Sequence, residues 1–422
     1  MDRSSLKISI DEWQQSYRNS RATLIQRFAY DLPPNNFARA FVGVRRCGKT
    51  YSAIQSSLAL GVEEVLYYNF EDPIFISEPQ VENLDLLLSV AIEYSKAPLR
   101  LLILDEIQNV LGWERWLRKL IDQKRYQIVV TGSSAKMLSS EISTALTGRV
   151  LQENIWPLSY EEYLAFCKYP TPTTLDAHRA PFSNYLAWGG FPEAALISSN
   201  EIRRKLLRQY LDDIVLKDVI SRHEIRNKRA LDIVLMYYLT NLSSLHSTSA
   251  IKKAFGLSLD LVDQYTSALA EAFAIFEVSR FHPNLKVQSR DARKIYVIDT
   301  GLRNAGSRSP QDDTGKLLEN VIFIELKRRG LDIFYFKGTT EVDFIVTERG
   351  KPVAAIQVCA SDLREPKTYQ REIGALEECL SALKLTSGLI ITLDRDESIK
   401  LDTGATIRFI PATTWLTQKR SE

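Results

Sequence analysis

The sequence predicts an α/β protein built from more than one domain, and three observations carry that expectation. Ala38–Val42 reads as a buried strand, the loop Gly43-Val44-Arg45-Arg46-Cys47-Gly48-Lys49-Thr50 follows it, and Tyr51–Leu60 reads as a helix. Leu101-Leu102-Ile103-Leu104 is a second buried strand. Asp105 and Glu106 emerge at its C-terminal end, where open α/β sheets place their sites. Past residue 311 the pattern resumes, with a helix at Gly315–Arg329 and strands at Ile333–Phe336, Glu341–Val346 and Val353–Val358. A chain of 422 residues has room for about two to four domains. The expected divisions are 1–157, 158–228, 229–310 and 311–422.

Taken in order, Leu6–Asp31 is expected to be helical, and Pro33-Pro34-Asn35-Asn36 breaks the chain before the first core strand. The glycine-bounded loop then fits G-x-x-x-x-G-K-[ST] without a mismatch. Its glycines let backbone N–H groups turn inward on phosphates, and the helix start adds positive potential. Lys49 is expected to reach the β- and γ-phosphates and Thr50 to hold Mg²⁺, with the loop residues and Tyr51 forming the nucleotide cradle. Val65–Phe70 is the next strand and Leu84–Tyr94 the next helix. Asp105 is expected in the Mg²⁺ shell, and Glu106 as the base that polarises an attacking water. Trp113, Trp116, Leu117 and Leu120 share one helical face and read as core.

The strand at Gln127–Thr131 ends in Gly132-Ser133-Ser134. If it lies between the two earlier strands, Ser133 or Ser134 can sense the γ-phosphate; the other reading of these hydroxyls is a helix N-cap. Arg149, after Gly148, is either a surface arginine or one that supplies charge to the transferred phosphoryl group.

Tyr169–Thr174 reads as a linker that Pro181 closes, and Glu201–Leu216 as a helix. Between Arg229 and Arg280 three helices are expected. The second runs from Thr248 to Phe255, Gly256 ends it, and Ser258 caps the third. Ile275–Val278 and Lys294–Ile298 would flank a loop as wing strands. Lys252, Lys253, Lys286, Arg290 and Arg293 are candidates for DNA phosphate contacts. The third helix offers Asp260, Asp263 and Gln264 near its start, a poor surface for reading bases.

The composition is that of an ordinary globular chain, with a formal net charge of +2 that argues neither for nor against nucleic acid. Cys47, Cys167, Cys359 and Cys379 form no CxxC pair, so a zinc site or disulfide framework is not expected and a reducing cytoplasm is. The first residues lack a signal-peptide core and no apolar run approaches a membrane span.

The order of these motifs resembles the prokaryotic P-loop ATPases of the AAA type. GVRRCGKT, LLILDEIQ, VVTGSSA, LTGR and WPLSYEEYL carry the likeness in the first part. YLAWGGFPE, KIYVIDTGL, GKLLENVIFIEL, EVDFIV and IQVC carry it to the end. The resemblance implies ATP as the nucleotide, a helical and winged-helix middle, and an end similar to the restriction-endonuclease fold. It also implies homo-oligomers, a ring among them, with an arginine given to the neighbouring site. The last segment resembles PD-(D/E)XK nucleases, which hold Mg²⁺ on acids beside a lysine. Asp343 and Glu319 match acid positions, whereas Gln357 and Cys359 stand where the second acid and the lysine belong. A degenerate, non-cutting nuclease fold is the expectation. For the whole chain it is an Mg²⁺-dependent ATP hydrolase that binds or is regulated by DNA, as a translocase or branch-remodelling motor. An ATP-driven signalling or defence switch with a protein partner, and an ATP-gated nuclease, stay open beside it.

Overall fold

The protein is described from a computed structural model. The structure describes residues 1–132, 146, 148–288, 291–307 and 313–418. The chain divides into two units, Met1–Trp156 and Pro157–Glu422.

The first unit is built on a five-stranded parallel sheet. Its strands are β1 (Ala38–Val42), β2 (Val65–Asn69), β3 (Leu101–Asp105), β4 (Gln127–Gly132) and β5 (Val150–Asn154), in the order β2-β3-β4-β1-β5. Strands covered on both faces need continuous apolar runs, and β3 is buried along its whole length. β5 is the exception. Its Val-Leu-Gln-Glu-Asn sequence is largely exposed at the sheet edge, so it lacks the pattern that marks a core strand. Arg39 anchors it by pairing with Glu153 at 2.7 Å.

Helices Lys49–Ser56, Glu82–Tyr94 and Trp113–Gln123 belong to this unit, and Trp113 and Trp116 are core as expected. The N-terminal helix runs from Arg3 to Ala22, capped by the Asp2 carboxylate, and stops well before Asp31. The helix after the phosphate loop begins earlier than expected, at Lys49, because Gly48 takes the left-handed conformation at its N-cap.

In the second unit, helices Lys228–Thr240, Thr248–Phe255 and Leu259–Glu271 accompany a small antiparallel sheet. Its strands β6 (Leu245–His246), β7 (Ile275–Val278) and β8 (Arg293–Val297) lie in the order β6-β8-β7. Gly256 and Ser258 end and begin their helices where the sequence placed them. A larger mixed sheet follows. It holds β9 (Asp332–Lys337), β10 (Glu341–Glu348), β11 (Lys351–Cys359), β12 (Ser387–Thr392), β13 (Glu397–Lys400) and β14 (Thr406–Pro411), in the order β13-β14-β12-β11-β10-β9. Helix Pro366–Leu383 packs on it through Ala375, Leu376, Cys379 and Leu380.

Pro181 does not close a linker. It sits inside helix Leu175–Trp188 with its ring buried, so packing outweighs the missing N–H.

The turn after that helix is over-determined. Gly189 has φ +71°, and a Cβ there would lie 2.0 Å from Asp299 Oδ1. Asp299 accepts from the Gly190 N–H at 2.7 Å and caps its own helix, Thr300–Gly306, through the Leu302 N–H at 3.1 Å. Gly189→Ala should therefore cost about 3 kcal/mol or more, read by urea unfolding. A loss below about 1 kcal/mol would show that the turn can relax.

Candidate functional site

β1 delivers the phosphate loop to the C-terminal edge of the parallel sheet. Gly43 is required there by space, since a Cβ would meet the Ile155 carbonyl oxygen at 2.1 Å. The buried Cys47 thiol donates to the same carbonyl at 3.1 Å, and burial pushes its pKa up. Arg27 holds the loop from behind through the Cys47 carbonyl at 2.7 Å, and Arg45 pairs with Glu71 at 2.9 Å. Lys49 is 6% exposed, with its ammonium 3.1 and 3.2 Å from the carbonyls of Gly43 and Val44 and 3.7 Å from Glu106. Tyr51 is half exposed on the helix just beyond.

The Thr50 hydroxyl meets the Asp105 carboxylate at 2.9 and 3.2 Å. Asp105 also accepts from Tyr67 and Asn69 of β2 and from Thr131 of β4. Burial pushes the Asp105 carboxyl up to about 6, and the neighbouring charge of Glu106 adds to the shift. Glu106 leaves β3 in the left-handed conformation, φ +54°, with its N–H held by Thr131 Oγ1 at 3.0 Å and its carboxylate by Gln108. A carboxylate and a hydroxyl on adjacent elements are the hard oxygen set that suits Mg²⁺, and an ammonium beside them suits phosphate oxygens. The residues present fit a Mg²⁺–nucleotide.

β4 does lie between β1 and β3. Ser133 and Ser134 fall outside the described residues. Within them, the polar side chain that β4 brings to the site is Thr131, which the sequence reading passed over. Its signal was a threonine ending an otherwise apolar strand, two positions before the serines. Tyr67 and Asn69 were also missed, as a tyrosine inside a strand reads as core.

A second polar cluster lies in the other unit. Lys294, on the central strand β8, is 2% exposed and reaches Asp343 at 2.8 Å, Glu341 at 2.9 Å and Glu319 at 3.0 Å. Tyr296 donates to Glu319 at 2.6 Å. Burial alone would lower the lysine pKa, but the carboxylates outweigh it and hold it well above the ordinary value. Burial and the charge of Asp343 push Glu319 up to about 8. Gln357 is not aimed at this lysine. It accepts from the Asp343 N–H at 3.2 Å and donates to Glu372 at 2.7 Å. Cys359 is buried in the sheet core, its thiol pushed up to about 11. The lysine of this cluster thus comes from a different strand than the one compared with PD-(D/E)XK nucleases.

A family model described as "AAA domain" matches residues 35–164, and one described as "Domain of unknown function (DUF8612)" matches residues 179–313. The uncharacterized protein MJ1544 of Methanocaldococcus jannaschii is 35% identical over 369 residues, covering 84% of this chain and 81% of that one. The chain belongs to its family. An uncharacterized protein of Haemophilus influenzae is 28% identical over 337 residues, covering 77% and 83%. The solved AMPPCP-bound DnaA of Aquifex aeolicus aligns over 61% of this chain and 86% of its own, at 14% identity and a TM-score of 0.27, a likeness too slight to carry a role across. The first unit of this family member has the P-loop AAA fold.

Arg149 is not brought to the phosphate loop of its own chain. Its carbonyl accepts from the Ala38 N–H at the start of β1, and its side chain pairs with Asp122 at 2.9 Å. The five residues of β1 put about 16 Å between that end and Gly43. In the second unit Lys252, Lys253 and Lys286 are exposed, Arg293 pairs with Glu277 at 2.7 Å, and Arg290 falls outside the described residues. No helix among the described residues is long and apolar enough to cross a membrane.

Proposed function

We propose that the protein is a Mg²⁺-dependent ATP hydrolase whose turnover is coupled to DNA. The convergence of Lys49, Thr50, Asp105 and Glu106 supports hydrolysis. Lys49 and the loop N–H groups hold the phosphates, Thr50 and Asp105 hold Mg²⁺, and Glu106 takes the proton of the attacking water. Arg149, far from its own loop, suits an arginine lent to a neighbouring copy, which fits a homo-oligomer, a ring among them. A cytoplasmic setting fits the four free thiols.

The DNA coupling is supported by three helices beside a β6-β8-β7 sheet, read here as a winged helix, with exposed Lys252, Lys253 and Lys286. The nuclease-like end serves binding in this reading, because the Lys294 ammonium already pairs with the carboxylates that a metal would need. A protein partner in place of DNA is the second reading. It is favoured by the exposed Asp260 and Asp263 at the start of the third helix and by the pairing of Arg293 with Glu277.

The test is ATPase rate against single-stranded, double-stranded and branched DNA, with Lys49→Ala as the blank. Stimulation of severalfold by at least one DNA is expected. Unchanged rates with no gel shift, and one stoichiometric protein in a pull-down, would move the assignment to the partner reading.

A further inference from the structure

Four side chains donate to Asp105. Its Oδ2 accepts from Thr50 at 2.9 Å, from the Tyr67 hydroxyl at 3.0 Å and from Asn69 Nδ2 at 3.3 Å. Thr131 takes the other oxygen. A carboxylate offers about four lone-pair positions, so an arriving cation must displace some of these donors. Thr50 is itself a ligand and stays. The remaining donors then decide how the carboxylate points and which lone pair is free.

Tyr67 is a donor held from several sides. The parallel register of β2 on β3 sets it opposite Ile103 and sets Asn69 opposite Asp105, so both side chains flank the carboxylate. Tyr67 is 3% exposed, and its ring is held by the N-terminal helix. Tyr17 stacks on it with centroids 6.0 Å apart and planes 21° apart, and Trp13 meets it edge-on at 6.1 Å. Both are pinned in turn, Tyr17 by Ser57 at 2.8 Å and Trp13 by Asp72 at 2.7 Å. This helix, Arg3–Ala22, lies outside the residues that match the AAA domain. A chain of contacts therefore runs from an added helix to the acid of the metal shell.

We propose that Tyr67 is a positioning residue for Mg²⁺, fixing the Asp105 carboxylate through its phenol, and that the N-terminal helix sets the strength of this hold by clamping its ring. The proposal rests on the ATPase reading above. Removing the phenol frees the carboxylate to rotate, so the site must order it at the moment of metal binding. Groups that orient a metal ligand typically change metal affinity by about 10- to 100-fold when lost.

The experiment uses the full chain with Tyr67→Phe, Tyr17→Leu and Asn69→Ala. Mn²⁺ binding is followed by electron paramagnetic resonance in the presence of a non-hydrolysable ATP analogue, and turnover is measured against Mg²⁺ concentration. Tyr67→Phe should weaken Mn²⁺ binding about tenfold, and its turnover should recover as Mg²⁺ is raised. Analogue binding without metal should stay unchanged. Tyr17→Leu, which keeps the phenol but loosens its clamp, should shift Mn²⁺ affinity in the same direction by a smaller factor. Tyr67→Phe with wild-type Mn²⁺ affinity overturns the proposal, and so does a turnover defect that excess Mg²⁺ leaves untouched. If Tyr67→Phe proves unstable to heat, Asn69→Ala decides by the same two readouts. A wild-type chain that neither binds Mn²⁺ with the analogue nor hydrolyses ATP removes the ATPase reading instead.

Discussion

A Glu106→Gln chain should bind ATP as the wild type does and lose turnover by at least about a hundredfold, the usual contribution of a positioned base. The substitution keeps the shape and removes the charge that accepts the proton. Glu106 is 8% exposed and stands 3.7 Å from Lys49, so the carboxylate lies at the loop mouth rather than out in solvent. Its φ of +54° is a second argument. A non-glycine residue in the left-handed region is held at a cost by its surroundings, here the Thr131 hydroxyl on its N–H and the Gln108 amide on its carboxylate. Such strain is typical of residues kept in place for chemistry. Lys49→Ala should differ in kind, because it removes the charge that holds the phosphates, and nucleotide binding should fall with turnover. Steady-state hydrolysis together with a fluorescent-nucleotide titration separates the two. Glu106→Gln retaining a third of the wild-type rate would take the base role away from it.

The first half of the site was legible because its parts are consecutive. Gly43 to Thr50 and the run ending in Asp105-Glu106 each lie on one strand-to-loop junction, and the parallel sheet aligns junctions of that kind at one edge. What could not be read was pairing between strands. Thr131, Tyr67 and Asn69 matter only because β4 and β2 both flank β3, and a strand order is not written in any one segment. β5 escaped for a local reason, being short, polar and half exposed. Arg149 is a further case of pairing between strands: the register Ala38↔Val150 places it at the far end of the strands from its own phosphate loop. Lys294 had a signal that was visible and unread. In Lys294-Ile295-Tyr296-Val297 the polar heads alternate with aliphatic residues, so one face of a buried strand carries an ammonium and a phenol.

Lys294→Met should be among the most damaging single substitutions in the second unit, lowering stability at neutral pH by about 3–5 kcal/mol, the cost of removing one partner of a buried ion pair. Three carboxylates converge on that ammonium within 3.0 Å, and methionine fills its volume without its charge. The pH dependence distinguishes this cause from lost packing. In the wild type Glu319 keeps its proton up to about 8, against 4.5 for an ordinary glutamate, so the unfolded chain binds fewer protons between those values and this group's contribution falls as pH rises from about 4.5 to about 8. Lys294 has the same sign in a higher window. Its raised pKa gives stability that is fully present below the ordinary lysine value and lost only above it. Without that cation Glu319, whose charged form it favours, holds its proton to still higher pH when folded, which extends the loss upward. The deficit of Lys294→Met should therefore grow as pH rises through about 8, measured by urea unfolding on both sides of that value. A pH-independent deficit would mean that the side chain matters by its bulk. Above about pH 8, Lys294→Met with Glu319→Gln should recover part of the loss, because the charge that Glu319 is driven to take there is gone.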